Sequence, residues 1–164
     1  MAAYLKYGTT IKGESKAEGH KGTDGWIEIG SVQWGCGRGI STPVGGSGKR
    51  EASAPSISEV TLTKLMDSTS PLLAQEGLIG KAVAATIELV ETGEGKLETF
   101  LTLQLTNAMI SGYSMSSGGG RPSESLTINF TKIEFTYQGY DDQHKVDSAK
   151  KKSFTYDLTT AQNK

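Results

Sequence analysis

The run at residues 123–137, SESLTINFTKIEFTY, constrains the fold more than any other stretch of the chain. Apolar and polar residues alternate, and many are β-branched or aromatic, which is the pattern of a half-buried strand. Leu126, Ile128 and Phe130 fall on one face, with Thr127, Asn129 and Thr131 on the other. The apolar set then moves to Ile133, Phe135 and Tyr137, so its phase slips by one residue. A straight strand cannot put both sets on one face, because its side chains alternate with a period of two. One repair is an extra residue near Thr131 and Lys132, a β-bulge that bends the strand. The other is a strand that leaves one sheet and enters a second. Both predict a long, bent strand within a β-rich core.

The rest of the chain supplies neighbours for it. Residues 4–7 read as a short strand. Residues 26–34 read as another, carried by Trp26, Ile27, Ile29, Val32 and Trp34, with a second phase slip at Gly30 and Ser31. Residues 57–66 return to strand chemistry. Val83, Ala85, Ile87 and Leu89 form an inward stripe, and the turn ETGEG joins it to Leu97, Leu101, Leu103 and Leu105 as a hairpin. Residues 107–115 continue as a strand with mixed faces. After the loop SSGGGRP and the central run, SFTYDL at 153–158 is a closing strand. The one helix signal is DSTSPLLAQEG: Ser70 to cap, Pro71 at the first position, Gly77 to end it, and Leu72 and Leu73 to pack on a sheet. GESKAEGHKGTDG and GYDDQHKVDSAKKK, with the lysines at 150–152, read as solvated loops, and residues 159–164 as a frayed tail. At 164 residues, 35% hydrophobic, with 21 Gly and 4 Pro, the chain suits one antiparallel sandwich or barrel domain spanning 1–164.

Composition also excludes functions. The formal charge of -1 argues against a nucleic-acid binder. Cys36 is the single cysteine, so neither an intrachain disulfide nor a thiolate metal cluster can form. No apolar signal-peptide core opens the sequence and no segment reaches membrane-span length. GGSGK at 45–49 fails as a phosphate loop, because Pro43 stands where its first glycine belongs and Arg50 where Ser or Thr belongs. Gly35, Gly37 and Gly39 do not complete a dinucleotide fingerprint, since Ile40 and Thr42 occupy the third-glycine places. Gly112, Ser114 and Ser116 miss a nucleophile elbow by the last residue. His20 and His144 fall in polar loops, where a solvated histidine is the plain reading and a general base the sharper one. Asp141 and Asp142 lack the alternating ligands of a calcium loop, and the sequon at Asn129 lies inside the central strand. No catalytic, cofactor or metal site is expected, and a structural or binding role is. The Gly/Ser-rich stretch 35–55, GCGRGISTPVGGSGKREASAP, is too long for a tight hairpin. It reads either as a mobile surface excursion or as an arm that orders against a partner.

Taken together, YLKYGTTIKGESK followed by WIEIGSVQWG, then VTLTKLMDSTSPLL, then the Gly-rich loop before SLTINFTKIEFTY, resemble the haemolysin-coregulated protein (Hcp) family, the tube subunits of type VI secretion systems. The resemblance spans residues 4–138 and rests on the colinearity of these segments. It implies an all-β fold, a two-sheet antiparallel β-barrel with one short flanking helix. It implies hexameric rings stacked head to tail into a hollow tube that a contracting sheath drives out of the cell. Partners would be other copies of the chain, spike and sheath components, and small effector cargo, with no nucleic acid and no membrane insertion. The protein would be cytoplasmic before firing and then secreted without a cleaved signal peptide, with no appended catalytic domain. On this reading Arg38, Ile40, Val44 and Arg50 of the arm are candidate subunit or ring contacts, and Thr127 and Asn129 candidate lumen-facing residues. Competing readings are a phage or related contractile-particle tail tube, a monomeric secreted β-sandwich that binds ligand through its tryptophans and Gly-rich loops, and a small hydrolase using His20 or His144.

Overall fold

Both phase slips prove to be corners at which strands pass between two sheets. The structure, a computed structural model, describes residues 1–45, 50–93 and 95–163. In chain order, β1 (Ala2–Tyr7) precedes a small hairpin of β2 (Lys16–Ala17) and β3 (His20–Lys21), a 3-10 turn (Gly22–Asp24), and β4 (Trp26–Ile29). β5 (Ser31–Gln33) continues β4 beyond Gly30. The short strands β6 (Cys36–Gly37), β7 (Ile40–Ser41), β8 (Glu51–Ala52) and β9 (Ser56–Ile57) build an arm, and β10 (Val60–Leu65) returns to the body. Helix α1 (Ser70–Ile79) leads into β11 (Val83–Gly93) and the long β12 (Lys96–Ser116). β13 (Ser123–Asn129), β14 (Lys132–Tyr140), β15 (Val146–Asp157) and β16 (Gln162–Asn163) complete the chain.

The main ladder has two parts that share β12. One runs β16-β15-β14-β12-β11-β1-β4, and in the other β13 lies between β12 and β10, with β5 beyond β10. β12 pairs first with β14, from Leu101 opposite Tyr137 to Thr106 opposite Lys132. It then pairs with β13, from Met109 opposite Asn129 to Ser116 opposite Ser123. Between Thr106–Lys132 and Met109–Asn129 both strands advance equally, so no extra residue sits at Thr131 and Lys132. The bulge expected there is absent, and the switch of sheets is the repair used. The strands turn together: Asn107 takes a left-handed φ of +52°, its amide donates to Thr131 Oγ1 at 3.1 Å, and Thr131 N–H donates to Thr106 O at 3.0 Å. Leu126, Ile128, Phe130 and Ile133 are consequently all buried despite the slip. The register shift of this hairpin lies instead on β12, between Ile110 and Gly112.

Gly30 is the second corner. β4 pairs with β1, β5 pairs with β10, and Gly30 N–H donates to Thr63 O at 2.7 Å. Because β4 and β5 are consecutive pieces of chain rather than paired strands, the ladder is not closed. The expected all-β fold of two antiparallel sheets with one short helix is what the structure shows, the sheets being joined by strands that turn rather than by a closed ladder. Their inner faces meet in one core containing Leu5, Tyr7, Ile27, Val60, Leu62, Ile87, Leu103, Leu105, Leu126, Ile128 and Ile133. Burial pushes the Tyr7 phenol up from its ordinary value, opposed by the backbone bond from Ile110. That phenol accepts from Ile110 N–H at 3.2 Å.

Several local expectations change. Helix α1 does not end at Gly77, because it runs on to Ile79 and closes where Gly80 N–H donates to Glu76 O at 2.9 Å. A Cβ at Gly77 would sit 3.4 Å from Ile110 Cγ2, so this glycine serves close approach of helix to sheet. Ser70 is the first helical residue rather than the cap, and the Asp67 carboxylate just upstream accepts Thr69 N–H at 2.9 Å. Leu73 is fully buried, whereas Leu72 stays largely exposed. Residues 146–152, expected in a loop, lie on β15, and the lysines at 150–152 are therefore exposed strand residues. Asp141 folds the preceding turn by accepting the N–H groups of Gln143 and Lys145 at 2.8 and 2.9 Å. The tail turns back as β16 beside Tyr156 and Asp157. Residues 46–49 of the rejected phosphate loop, residue 94 of the ETGEG turn and residue 164 of the tail lie outside the described residues.

The corner makes a clear demand of Asn107. A β-branched side chain at left-handed φ is sterically penalised by about 1–2 kcal/mol, whereas glycine is not. Asn107→Val should lower unfolding stability by at least that amount in a urea titration, and Asn107→Gly, which avoids the backbone penalty but still loses the bond to Thr131, should lower it by about 0.5–1.5 kcal/mol.

Candidate functional site

Residues 35–45 and 50–58 form a two-stranded arm. Cys36 and Gly37 pair with Ile57 and Ser56, and Ile40 and Ser41 pair with Ala52 and Glu51. Serine hydroxyls stitch the ladder between these short pairs: Gly35 N–H donates to Ser58 Oγ at 2.9 Å, and Gly39 N–H to Ser53 Oγ at 2.9 Å. The arm buries almost nothing of its own. Ile40 is 56% exposed and Val44 wholly so. Arg38 and Arg50 are also exposed, and among the described residues neither forms an ion pair. Arg38, Ile40, Val44 and Arg50 thus lie on one projecting hairpin.

A cleft of about 370 Å³ lies at the opposite end of the β5–β10 pair, lined by Glu14, Glu28, Gly30, Thr63, Leu65, Met66 and Arg121 among others. Beneath it lies a network of buried charge. The Lys64 ammonium is 2.9 Å from both Asp67 and Glu124, donates to Leu65 O at 2.8 Å and reaches Ser70 Oγ at 3.3 Å. Tyr113 donates to the other Glu124 oxygen at 2.7 Å. The side chains of Lys64 and Glu124 are completely buried. Burial opposes ionisation of Glu124, but bonds from Ser70, Tyr113 and Lys64, and the charge of Lys64, outweigh it and hold the carboxyl below its ordinary value. Asp67 is likewise held low against its burial, by Thr69 and Lys64. The Tyr113 phenol is pushed up to about 12 by burial first and by Glu124 second. The sequence carries a signal for this pair. Lys64 shares the inward phase of Val60 and Leu62, Glu124 shares that of Leu126 and Ile128, and the two lie directly opposite each other across the ladder.

On its other face, this sheet presents hydroxyls. Ser31 and Thr63 are 2.6 Å apart, Thr61 lies opposite both Gln33 and Thr127, and Ser125 opposite Ser114. Thr127 is half-buried and bonds Ser111 Oγ at 3.0 Å. Exposed Asn129 donates to Glu59 at 3.2 Å. The two candidate lumen residues therefore share this surface.

His20 departs from expectation, being buried rather than solvated. The β2–β3 hairpin folds it against the sheet, where Nε2 lies 2.6 Å from Glu88 Oε2 and the ring stacks on Tyr4 at 4.6 Å. Trp26 meets the same ring edge-on at 4.6 Å, and Trp34 packs with Phe135 and Phe154 at 6.1 and 6.4 Å. Both tryptophans are packing anchors, which removes the observation that favoured a ligand platform. His144 is exposed, in the turn after β14. Among the described residues, neither histidine side chain is bonded to a Ser or Cys side chain, no group of metal-ligating side chains is assembled, and no helix is long and apolar enough to cross a membrane.

Comparison with known proteins agrees with this architecture. The family described as "Type VI secretion system effector, Hcp" matches residues 4–137. A solved type six secretion system protein superposes with a TM-score of 0.87 at 25% identity, covering 99% of each chain. Hcp1 from Salmonella typhimurium superposes with a TM-score of 0.72 at 20% identity, covering 99% of this chain and 98% of its own. A type VI secretion system effector from Yersinia pestis gives 0.64 at 24% identity, with 94% and 98% covered. No curated protein sequence matches significantly. The chain belongs to the Hcp family and is a tube subunit of a type VI secretion system. The phage-tube and ligand-binding readings are not favoured.

Removing one partner of a buried charge network leaves the other uncompensated. Lys64→Met should therefore cost about 3–5 kcal/mol in a denaturant titration, and adding Glu124→Leu should recover much of it. The carboxyls of Glu124 and Asp67 are depressed in the folded state. Their contribution is thus fully present above the ordinary carboxylate range, at about pH 4, and is lost as pH falls through the lower folded values. Urea midpoints measured from pH 7 downward should fall across that acid window, and the fall should flatten in the Lys64→Met, Glu124→Leu double variant.

Proposed function

We propose that this chain forms hexameric rings that stack head to tail into the hollow tube of the secretion machine, and that it does so without catalysing a reaction. The observation that carries this reading is the arm. Ile40 and Val44 of the arm are exposed, and Arg38 and Arg50 form no ion pair among the described residues, so this outer part of the arm has little to pack against in its own subunit. A repeating contact with another copy supplies that surface. The long edge strand β15 supports it, since beyond Tyr156 and Asp157 its second side has no strand partner among the described residues. An unpaired edge is a liability in a free subunit and an asset in a ring, where a neighbour covers it. The basic lysines on this edge discourage unprogrammed pairing.

Arg38, Ile40, Val44 and Arg50 act as contact residues in this arrangement, and Thr127 and Asn129 face the lumen. A hydroxyl-rich wall bonds water readily and offers passing cargo few charges. Spike and sheath components are the remaining partners, and small effectors the cargo. The chain waits in the cytoplasm and leaves through the machine. The absence of catalysis is supported by His20, whose Nε2 is held by Glu88 beneath a hairpin.

Native mass spectrometry of the purified protein should show a six-chain species. Deleting residues 37–48 should leave far-UV circular dichroism and the melting transition intact while impairing assembly. Unchanged ring and tube formation by the deletion variant would remove the arm from the assembly.

A further inference from the structure

The hydroxyl-bearing face that holds Thr127 and Asn129 is met by one fixed carboxylate. β10 buries Val60, Leu62 and Lys64, so Thr61 and Thr63 fall on the opposite, outward side. They lie across the ladder from Gln33, Ser31, Thr127 and Ser125. None of the outward side chains of β5, β10, β13 or residues 109–116 of β12 is charged. Glu59, one residue before β10, shares their side. Ser111 Oγ donates to its Oε2 at 2.7 Å, and Asn129 Nδ2 donates to its Oε1 at 3.2 Å. The side chain is half-buried and forms no ion pair among the described residues. From this placement we infer that Glu59 is a docking point for an arginine side chain of a polypeptide lying against this face. The inference rests on the tube reading, in which the face is the lumen wall and the polypeptide is cargo.

The bonding around Glu59 selects the kind of cation. A carboxylate offers about four lone-pair positions, and Ser111 and Asn129 occupy one on each oxygen. They hold the group in one orientation and leave acceptor capacity on both oxygens. A planar guanidinium fork uses both oxygens at once, whereas an ammonium is a point charge without that match. Because the carboxylate is already held, little ordering is left to be done when the partner arrives. The surrounding hydroxyls suit a peptide of any sequence. Thr127 Oγ1 lies 3.0 Å from Ser111 Oγ, and Ser31 and Thr63 are 2.6 Å apart. Each hydroxyl donates or accepts, so the wall bonds both N–H and C=O groups of a backbone. An acidic or uncharged segment brings nothing to compensate the desolvation of Glu59, and the wall therefore discriminates by charge. In a ring the carboxylate recurs once per subunit, so a cargo with several arginines engages several copies together.

Fluorescence anisotropy tests this with a labelled peptide of repeated Gly-Ser-Arg units, beside matched Gly-Ser-Lys and Gly-Ser-Glu peptides. The parent protein should bind the arginine peptide more tightly than the lysine peptide, and should not retain the glutamate peptide. Glu59→Gln keeps the shape of the side chain and removes its charge. It should weaken binding of the arginine peptide by roughly tenfold or more. Glu18→Gln removes the same charge from the exposed turn between β2 and β3 and should leave that binding unchanged. No binding by the parent protein, or undiminished binding by Glu59→Gln, overturns the site. Equal losses in the two variants reduce the effect to net charge and overturn it as well. Equal affinity for the arginine and lysine peptides contradicts the fork contact. Native mass spectrometry of the same samples reads the ring independently. Rings that bind the peptide without need of Glu59 would remove this inference and keep the tube reading. Glu59-dependent binding by a protein without rings would do the reverse.

Discussion

The turn shared by β12 and its partner run carries the architecture. Asn107 on one strand and Thr131 on the other hold the corner through a side-chain bond at 3.1 Å and a backbone bond at 3.0 Å. Because both strands bend together without gain or loss of a residue, their pairing continues through the corner and one hairpin belongs to two sheets. Two consequences follow. The apolar sets on either side of the corner, Ile128 and Phe130 before it and Ile133 after it, meet in the same core. The strand pair β5–β10 is set beside β13 and away from β1, and this gives the molecule an arm at one end and a cleft at the other.

Much of this was legible in the residues. The slip between Phe130 and Ile133 marked the corner, and the slip at Gly30 marked its counterpart, because an alternation of period two cannot change phase without a bend. The choice between bulge and change of sheet was not legible, since it depends on what β12 does opposite. The arm escaped notice as a hairpin because its ladder is held by Ser53 and Ser58 hydroxyls rather than by an apolar stripe. The first half of β15, residues 146–152, looked like a loop for a related reason. As an exposed edge strand it needs no apolar stripe, and its lysines disguise it. His20 sits in polar sequence that gives no hint of burial, because the two-residue strands of its hairpin leave no periodicity to read. The Lys64–Glu124 pair was the available signal left unread: two charges at inward positions of two strands that needed each other.

That pair also organises one end of the fold. Burying an ammonium and two carboxylates is costly, and a well-packed apolar replacement is often at least as stable. What the network does provide is direction. It joins β10, β13, Tyr113 of β12 and the residues leading into α1, and so holds the floor of the cleft in one geometry. The arm, by contrast, has little internal packing, with Ile40 and Val44 exposed.

Electron microscopy of the purified protein at high concentration puts the central claim to its most direct test. Annular top views with sixfold symmetry, and side views of stacked rings bridged at each junction, are the predicted result. A field of small, separate particles at the same concentration would contradict it.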